Sequence, residues 1–161
     1  MPTQDHEEYI NRNMHIRNYQ RRGFAGMMSH LDDTIQRVVE KLKSKNNMWE
    51  NTLMILFADN GGQVTQAASN YPLRGTKSTP WEGGVRVPAF ISGGVNALPD
   101  SIRGSSFDGV AHVTDIFPTL REMLVNKMRL PNKELDGISF WNSLISGSKK
   151  SNRDVMLLAC D

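Results

Sequence analysis

From Gly23 onward apolar residues recur at three- and four-residue steps: Phe24, Met27, Met28, Leu31, Ile35, Val38, Val39 and Leu42. Asp32, Asp33, Gln36, Arg37, Glu40, Lys41 and Lys43 fill the other face. That period predicts an amphipathic helix whose apolar stripe packs on a sheet. Its methionines would also suit an adaptable binding face. Lys41, Lys43 and Lys45, followed by Asn46-Asn47, mark its end, because cations favour the negative pole of a helix. Residues 1–20 show neither hydrophobic period. Their Arg12, His15, Arg17, Tyr9 and Tyr19, with Arg21 and Arg22 just beyond, have the make-up of an RNA contact, but Asp5, Glu7 and Glu8 dilute it. A solvated lead-in to the helix is the expectation.

Thr52 to Ala58 is apolar without alternation and predicts a strand buried on both faces, normally central in a parallel sheet. Helix followed by buried strand is half of a repeating α/β unit. Residues 59–84 then form a long connection rich in Gly, Ser and Asn, of the kind that is usually functional or disordered, and Tyr71, Leu73 and Trp81 argue against disorder. Val85 to Ser92 predicts a second strand. A helix is expected from Thr114 or Asp115, with Pro118 tolerated in its first turn. A loop at Leu130-Pro131-Asn132, an amphipathic segment from Ile138 to Ile145 and a last strand from Val155 to Ala159 complete the pattern.

Composition narrows the class. With 161 residues the chain has the size of one domain, and 39% hydrophobic against 22% charged residues describes a globular chain. A net charge of +2 argues for neither nucleic acid nor an anionic membrane as partner. The longest apolar run, Leu53 to Ala58, is far too short to span a bilayer. The polar, acidic N-terminus does not read as a signal peptide. One cysteine, Cys160, excludes an internal disulfide and any CxxC motif.

Candidate chemistry gathers after the first strand. In α/β sheets ligands bind at the carboxyl ends of strands, where Asp59 and Asn60 stand. A carboxylate beside an amide oxygen, followed by Gly61-Gly62, suits a hard cation such as calcium or magnesium. Asn60-Gly61 is equally a two-residue hairpin signal, although Gln63 to Asn70 shows no returning strand, so the metal site and the plain turn stand as alternatives. Lys77 offers a point charge to an anionic group, or an idle surface cation. Arg74 and Arg86 with Glu82 are expected to form ion pairs beneath the loop, with Trp81 as its anchor. His112 and Asp115 have the spacing of an acid/base pair, but at a strand-to-helix junction capping and core roles come first.

The run Phe57-Ala58-Asp59-Asn60-Gly61-Gly62, then Asn70-Tyr71-Pro72-Leu73-Arg74-Gly75 with Lys77, then Trp81-Glu82-Gly83-Gly84-Val85-Arg86 resembles the type I sulfatases, within them the arylsulfatase B group. Tyr19 to Met27, Asp115 to Leu120 and Leu135 to Trp141 support the resemblance, in the family's order across nearly the whole chain. It implies an alkaline-phosphatase-like α/β fold, a mixed sheet flanked by helices and incomplete here, and hydrolysis of sulfuric esters. The substrate implied is a sulfated sugar such as N-acetylgalactosamine 4-sulfate, or an aryl sulfate. Asp59 and Asn60 match two calcium ligands, and Lys77 matches the lysine that binds the sulfate. No nucleic acid or membrane partner is implied, and a lysosomal or secreted location follows from the family alone.

The departures are also informative. The family's formylglycine arises from a cysteine in C-x-P-x-R, whereas Cys160 is followed by Asp161. The paired aspartates that complete the calcium site belong upstream, and Met1 to Tyr9 resembles the stretch just after an active-site histidine, a place that His6 falls too late to take. Residues 1–161 are therefore expected to be the rear portion of a sulfatase catalytic domain, with 1–20 as lead-in and 155–161 beginning a C-terminal subdomain. Alone they are expected to lack turnover and to bind calcium weakly. A non-catalytic module that binds a sulfated glycan or a protein is the alternative, and a phosphoesterase of the same superfamily a third.

Overall fold

The computed structural model describes residues 7–124, 135–148, 150–156 and 158. The chain divides into two compact units, Met1–Ala97 and Leu98–Asp161, where its length suggested a single domain.

The first unit opens with a helix that the hydrophobic pattern does not announce. Helix α1 spans Glu7–Arg12, within the expected lead-in, and Tyr9 is its buried residue. Helix α2 spans Tyr19–Lys43 and starts ahead of the apolar stripe. Asn18 sets that start: its side-chain oxygen accepts from the Arg21 N–H at 2.9 Å, satisfying one of the helix's orphan donors. The two helices are joined through Tyr9, stacked on His30 at 4.7 Å, and Arg12, which donates to Glu8 at 2.6 Å and Asp33 at 2.8 Å. The bond from Arg12 holds the Asp33 carboxyl below its ordinary value. Arg21 and Arg22 likewise bond the carbonyls of Ala67 and Ile16, at 2.6 and 2.9 Å. Much of the basic and aromatic character of the lead-in is thus structural. The helix stripe departs from expectation too: Met27, Met28, Leu31 and Val38 are exposed, because the short α1 covers only part of the long α2.

Strand β1 is Leu53–Phe57, where the apolar run predicts a strand, but it is not buried on both faces: Leu53 to Leu56 are half-buried and Phe57 is exposed. The strand pairs with β2, Ala89–Gly93, and the pairing is antiparallel, with Leu53 opposite Gly93 and Phe57 opposite Ala89. The expected parallel neighbour is thus corrected: among the described residues the sheet has these two strands. A parallel return needs a crossover that carries the chain back along a sheet face. Between β1 and β2 there is only a 3-10 turn, Val64–Gln66, and the single helical turn α3, Glu82–Val85. Val85 accordingly belongs to α3 rather than to the second strand, which starts after Pro88, a residue with no N–H to pair.

The second unit has its own core of Leu98, Ile102 and Phe140, with Phe107 stacked on Phe140 at 5.6 Å. Helix α4 spans Ile116–Leu124, with Pro118 in its first turn, and α5 spans Trp141–Ile145. A 3-10 turn at Val113–Asp115 leads into α4, capped by His112. The His112 N–H donates to Asp115 Oδ2 at 2.8 Å, and the Thr114 N–H donates to His112 Nδ1 at 3.4 Å. A structural role was expected of the pair, as an N-cap Asp and a core histidine, and the structure exchanges the two: His112 is the N-cap and Asp115 the buried residue. Asp115 is 1% exposed and receives two bonds from Arg153, at 2.8 and 2.6 Å, and one from the Ile138 N–H at 2.7 Å. Of the expected last strand, Val155, Met156 and Leu158 are described and are not strand. Leu157, Ala159, Cys160, His6 and the Leu130-Pro131-Asn132 loop lie outside the described residues.

Burial pushes the Asp115 carboxyl up, but the bonds from Arg153, Ile138 and His112 outweigh it and hold the group below its ordinary value. The unfolded chain therefore takes up this proton first. The resulting stability is complete above the unfolded-state value of about pH 4 and is lost as pH falls through the lower folded value. At pH 7, Asp115→Asn is expected to lower the unfolding free energy by about 3–5 kcal/mol, the usual loss when a buried pair is broken. Urea unfolding followed by circular dichroism checks this, and the variant's stability should vary less with pH below 5 than the parent's. A loss under about 1 kcal/mol would show that the carboxylate is not carrying the unit.

Candidate functional site

The site is built on β1. Beyond Phe57 the Ala58 N–H still bonds the Pro88 carbonyl at 3.2 Å, so the chain leaves the sheet at Asp59 and Asn60. Gly61 then passes against a second stretch of backbone. Its N–H donates to the Gly84 carbonyl at 2.8 Å, and a Cβ on Gly61 would lie 1.8 Å from the Gly83 oxygen. The Gly83 N–H in turn donates to the Arg74 carbonyl at 2.7 Å, and a Cβ there would meet the Gly75 oxygen at 2.5 Å. Three stretches of loop backbone are thus stacked at distances that exclude any side chain between them. This closes the hairpin alternative for Asn60-Gly61, since Gly61 pairs with Gly84 rather than with a returning strand.

Side chains lock the stack. Asn70 accepts from the Gly62 N–H at 2.8 Å and donates to the carbonyls of Gly62 and Gly75, at 2.8 and 3.1 Å. The Thr76 hydroxyl donates to the Gly62 carbonyl at 3.0 Å and accepts from the Val64 N–H at 3.2 Å. The Lys77 N–H reaches the same Gly62 carbonyl at 3.3 Å. Arg21 of α2, on the Ala67 carbonyl, fixes the far end of the loop.

Asp59, Asn60 and Lys77 are therefore brought to one loop cluster, through backbone bonds between segments far apart in sequence. Asp59 and Lys77 are exposed and Asn60 is half-buried. The Asn60 side-chain N–H donates to the Gly61 carbonyl at 2.8 Å, which orients the amide. No hydrogen bond or ion pair among the described residues engages the Asp59 carboxylate, the Asn60 Oδ1 or the Lys77 Nζ. That is the reverse of Asn70 and Thr76, whose side-chain polar atoms are all engaged, chiefly by backbone. No group of three His, Cys, Asp or Glu side chains gathers as a metal site among the described residues. Asp59 and Asn60 nevertheless present two free hard-oxygen donors on adjacent residues, which fits part of a calcium or magnesium shell.

The remaining expectations are met unevenly. Trp81 anchors the loop through Arg74, whose guanidinium lies 3.8 Å above its ring. Arg74 is thus a stacking partner rather than a member of an ion pair. Glu82 and Arg86 do pair, at 3.4 Å, but on the exposed side of α3. The sequence reading missed the clasping roles of Asn70 and Thr76, and of Thr79, whose hydroxyl donates to the Thr76 carbonyl at 2.7 Å. Hydroxyls at i and i+3 around Lys77-Ser78 were the one available signal.

Comparison with known proteins bears on the assignment. The sulfatase family profile matches residues 2–125. The chain belongs to the sulfatase family. Its relatives include arylsulfatase J of Mus musculus, 34% identical over 155 residues, covering 96% of this chain and 25% of that protein. A sulfatase of Formosa agariphila is 35% identical over 124 residues, covering 72% of this chain and 22% of that protein. A solved structure, Ps i-CgsB in complex with k-i-k-neocarrahexaose, superposes with a TM-score of 0.78 at 32% identity, covering 91% of this chain and 31% of that one. This sulfatase chain spans about a quarter of the length of the curated relatives it matches. Its helices and small antiparallel sheet are a fragment of the alkaline-phosphatase-like fold of the family. No helix among the described residues is long and apolar enough to cross a membrane.

The geometry separates framework from chemistry. Gly61→Ala is expected to cost about 3 kcal/mol or more, the upper end for overpacking, because its new methyl meets a backbone oxygen. Lys77→Ala should change stability by no more than about 0.5 kcal/mol, as for a surface side chain without partners. Denaturant unfolding of the two variants beside the parent chain checks both. Equal losses would contradict the separation.

Proposed function

We propose that this chain is the calcium- and sulfate-holding part of a sulfuric ester hydrolase, the reading that family membership and the loop cluster support together. The observation that carries it is the bond from the Lys77 N–H to the Gly62 carbonyl, which ties the lysine to the loop bearing Asp59 and Asn60 while leaving all three side chains unengaged. A free carboxylate, a free amide oxygen and a free ammonium on one rigid support suit an anionic tetrahedral group gripped between a hard cation and a lysine.

Asp59 and Asn60 would hold the ion, and the other ligands of its shell of about 6–8 oxygens would come from elsewhere in the intact enzyme. Calcium, when bound, supplies positive charge that polarises a sulfate oxygen. Lys77 binds a second sulfate oxygen and stabilises the charge that builds on the departing ester oxygen. The exposure of Lys77 and Asp59 puts both side chains where a substrate from solvent can reach them. The nucleophile belongs to the remainder of the enzyme, since the one cysteine, Cys160, is not in a C-x-P-x-R setting.

For the substrate, the arylsulfatase B-like motifs favour a sulfated glycosaminoglycan sugar of the N-acetylgalactosamine 4-sulfate kind. A structural neighbour in complex with k-i-k-neocarrahexaose supports a sugar-borne ester over a simple aryl one. A lysosomal or secreted location accompanies that reading.

Turnover of an aryl sulfate by the intact enzyme tests the proposal. Lys77→Ala is expected to lower kcat/KM by about 10²–10³-fold, the usual loss for one charge-stabilising donor. Asp59→Ala should raise the calcium concentration needed for half-maximal rate, a quantity that Lys77→Ala leaves unchanged. An intact parent protein that binds sulfated sugar through Lys77 without hydrolysing it would establish the binding-module reading instead. Preference for a phosphate over a sulfate ester would establish the phosphoesterase.

A further inference from the structure

Lys77 does not project from a loose loop. It occupies the second position of a four-residue turn, Thr76 to Thr79, closed by the Thr79 N–H donating to the Thr76 carbonyl at 3.1 Å. Ser78, third in the turn, has φ +68, the left-handed conformation that a type II turn requires there and that a side chain disfavours. Something must hold Ser78 in it. The Thr79 hydroxyl donates to the Thr76 carbonyl at 2.7 Å and accepts from the Thr76 N–H at 3.1 Å, so one oxygen closes both backbone groups of the residue that opens the turn.

The two ends of the turn are also set against the framework. The Thr76 hydroxyl bonds the Gly62 carbonyl at 3.0 Å, and a Cβ on Gly84 would lie 2.6 Å from the Thr76 oxygen and 2.3 Å from the Thr79 oxygen. Two groups of Thr79 span the lysine from one side of the turn to the other, its N–H and its hydroxyl, and the hydroxyl is the side-chain contact of the two.

We propose that Thr79 is a positioning residue for Lys77: its hydroxyl clasps the turn, keeps the Lys77 N–H on the Gly62 carbonyl, and so fixes where the ammonium stands relative to Asp59 and Asn60. The inference rests on the reading of Lys77 as the sulfate-binding lysine only for its catalytic consequence. The clasp itself is a statement about backbone order. Losing the hydroxyl leaves the ammonium charge in place but spreads its position, so the loss falls on the step in which charge builds on the sulfate group rather than on calcium binding.

Thr79→Val, which keeps the shape and removes the hydroxyl, is the test, with Thr79→Ser as the rescue. Amide hydrogen exchange of the 161-residue chain supplies the first readout. Thr79→Val should speed exchange at the Lys77 N–H at least 10-fold while β1 amides such as Leu56, paired opposite Phe90, keep the parent rate, and Thr79→Ser should restore protection. Aryl sulfate turnover by the intact enzyme supplies the second: Thr79→Val should lower kcat 10-fold or more, with calcium dependence unchanged and kcat recovered by Thr79→Ser. In a Lys77→Ala background, Thr79→Val should have no further effect on kcat.

Unchanged Lys77 exchange in Thr79→Val overturns the proposal. So does a Thr79→Val chain that fails to fold, because the hydroxyl would then support the fold as a whole rather than the lysine. Faster exchange with undiminished kcat overturns the catalytic consequence. A parent enzyme without sulfatase turnover would count against the hydrolase reading and leave the exchange result to decide the clasp.

Discussion

The first unit depends on a contact in which there is no room for a side chain. Gly61 lies so close to the Gly83 carbonyl that an added methyl would overlap it at 1.8 Å, and Gly83 lies almost as close to the Gly75 carbonyl. Backbone packed directly on backbone gives a loop region the rigidity that a hydrophobic core gives elsewhere, because the Gly61 and Gly83 N–H groups find carbonyls of the neighbouring stretch and no rotamer is left to choose there. The long connection between β1 and β2 is ordered for this reason despite its polar composition. Entropy lost in ordering it is offset by a dense set of bonds on Gly61, Gly62 and Gly83 rather than by buried apolar area.

On that support the polar side chains divide by what they touch. Asn70, Thr76 and Thr79 turn inward to backbone groups and hold the segments together. Asp59 and Lys77 turn outward with nothing to hold. A charged group without a partner gains nothing for the fold, and its placement on the most constrained backbone of the unit is what a ligand site needs. The second unit uses charge in the opposite way. Asp115, buried and bonded by Arg153, Ile138 and His112, has every lone pair directed to a structural donor. It belongs to the framework, although its spacing from His112 resembles that of an acid/base pair.

Part of this was legible in the residues. The unbroken apolar run from Leu53 read as a strand and the stripe from Phe24 read as a helix, because both are local periods set by the geometry of one element. The Asp-Asn-Gly-Gly turn and the Pro-Leu-Arg-Gly-x-Lys loop marked the candidate site through their likeness to a family. Helix α1 was missed because its cohesion lies in Tyr9, Arg12 and their partners on α2, with no stripe of its own to betray it. The direction of β2 was missed because an apolar run says that a strand is covered but not which way its neighbour points. Only the absence of a crossover between the strands decides that.

The sequence by itself determined helix α2 and strand β1, the family and the identity of the chemically capable side chains, since these depend on residue type and short-range spacing. Tertiary structure alone decided that β2 returns antiparallel, that Arg74 stacks on Trp81 instead of pairing with a carboxylate, and that Asp115 finds Arg153. It also decided that Lys77 meets the Asp59 loop through a carbonyl of Gly62. All but the Arg74–Trp81 stack join residues distant along the chain, and such contacts are set by how backbones approach one another, which no local pattern of side chains encodes.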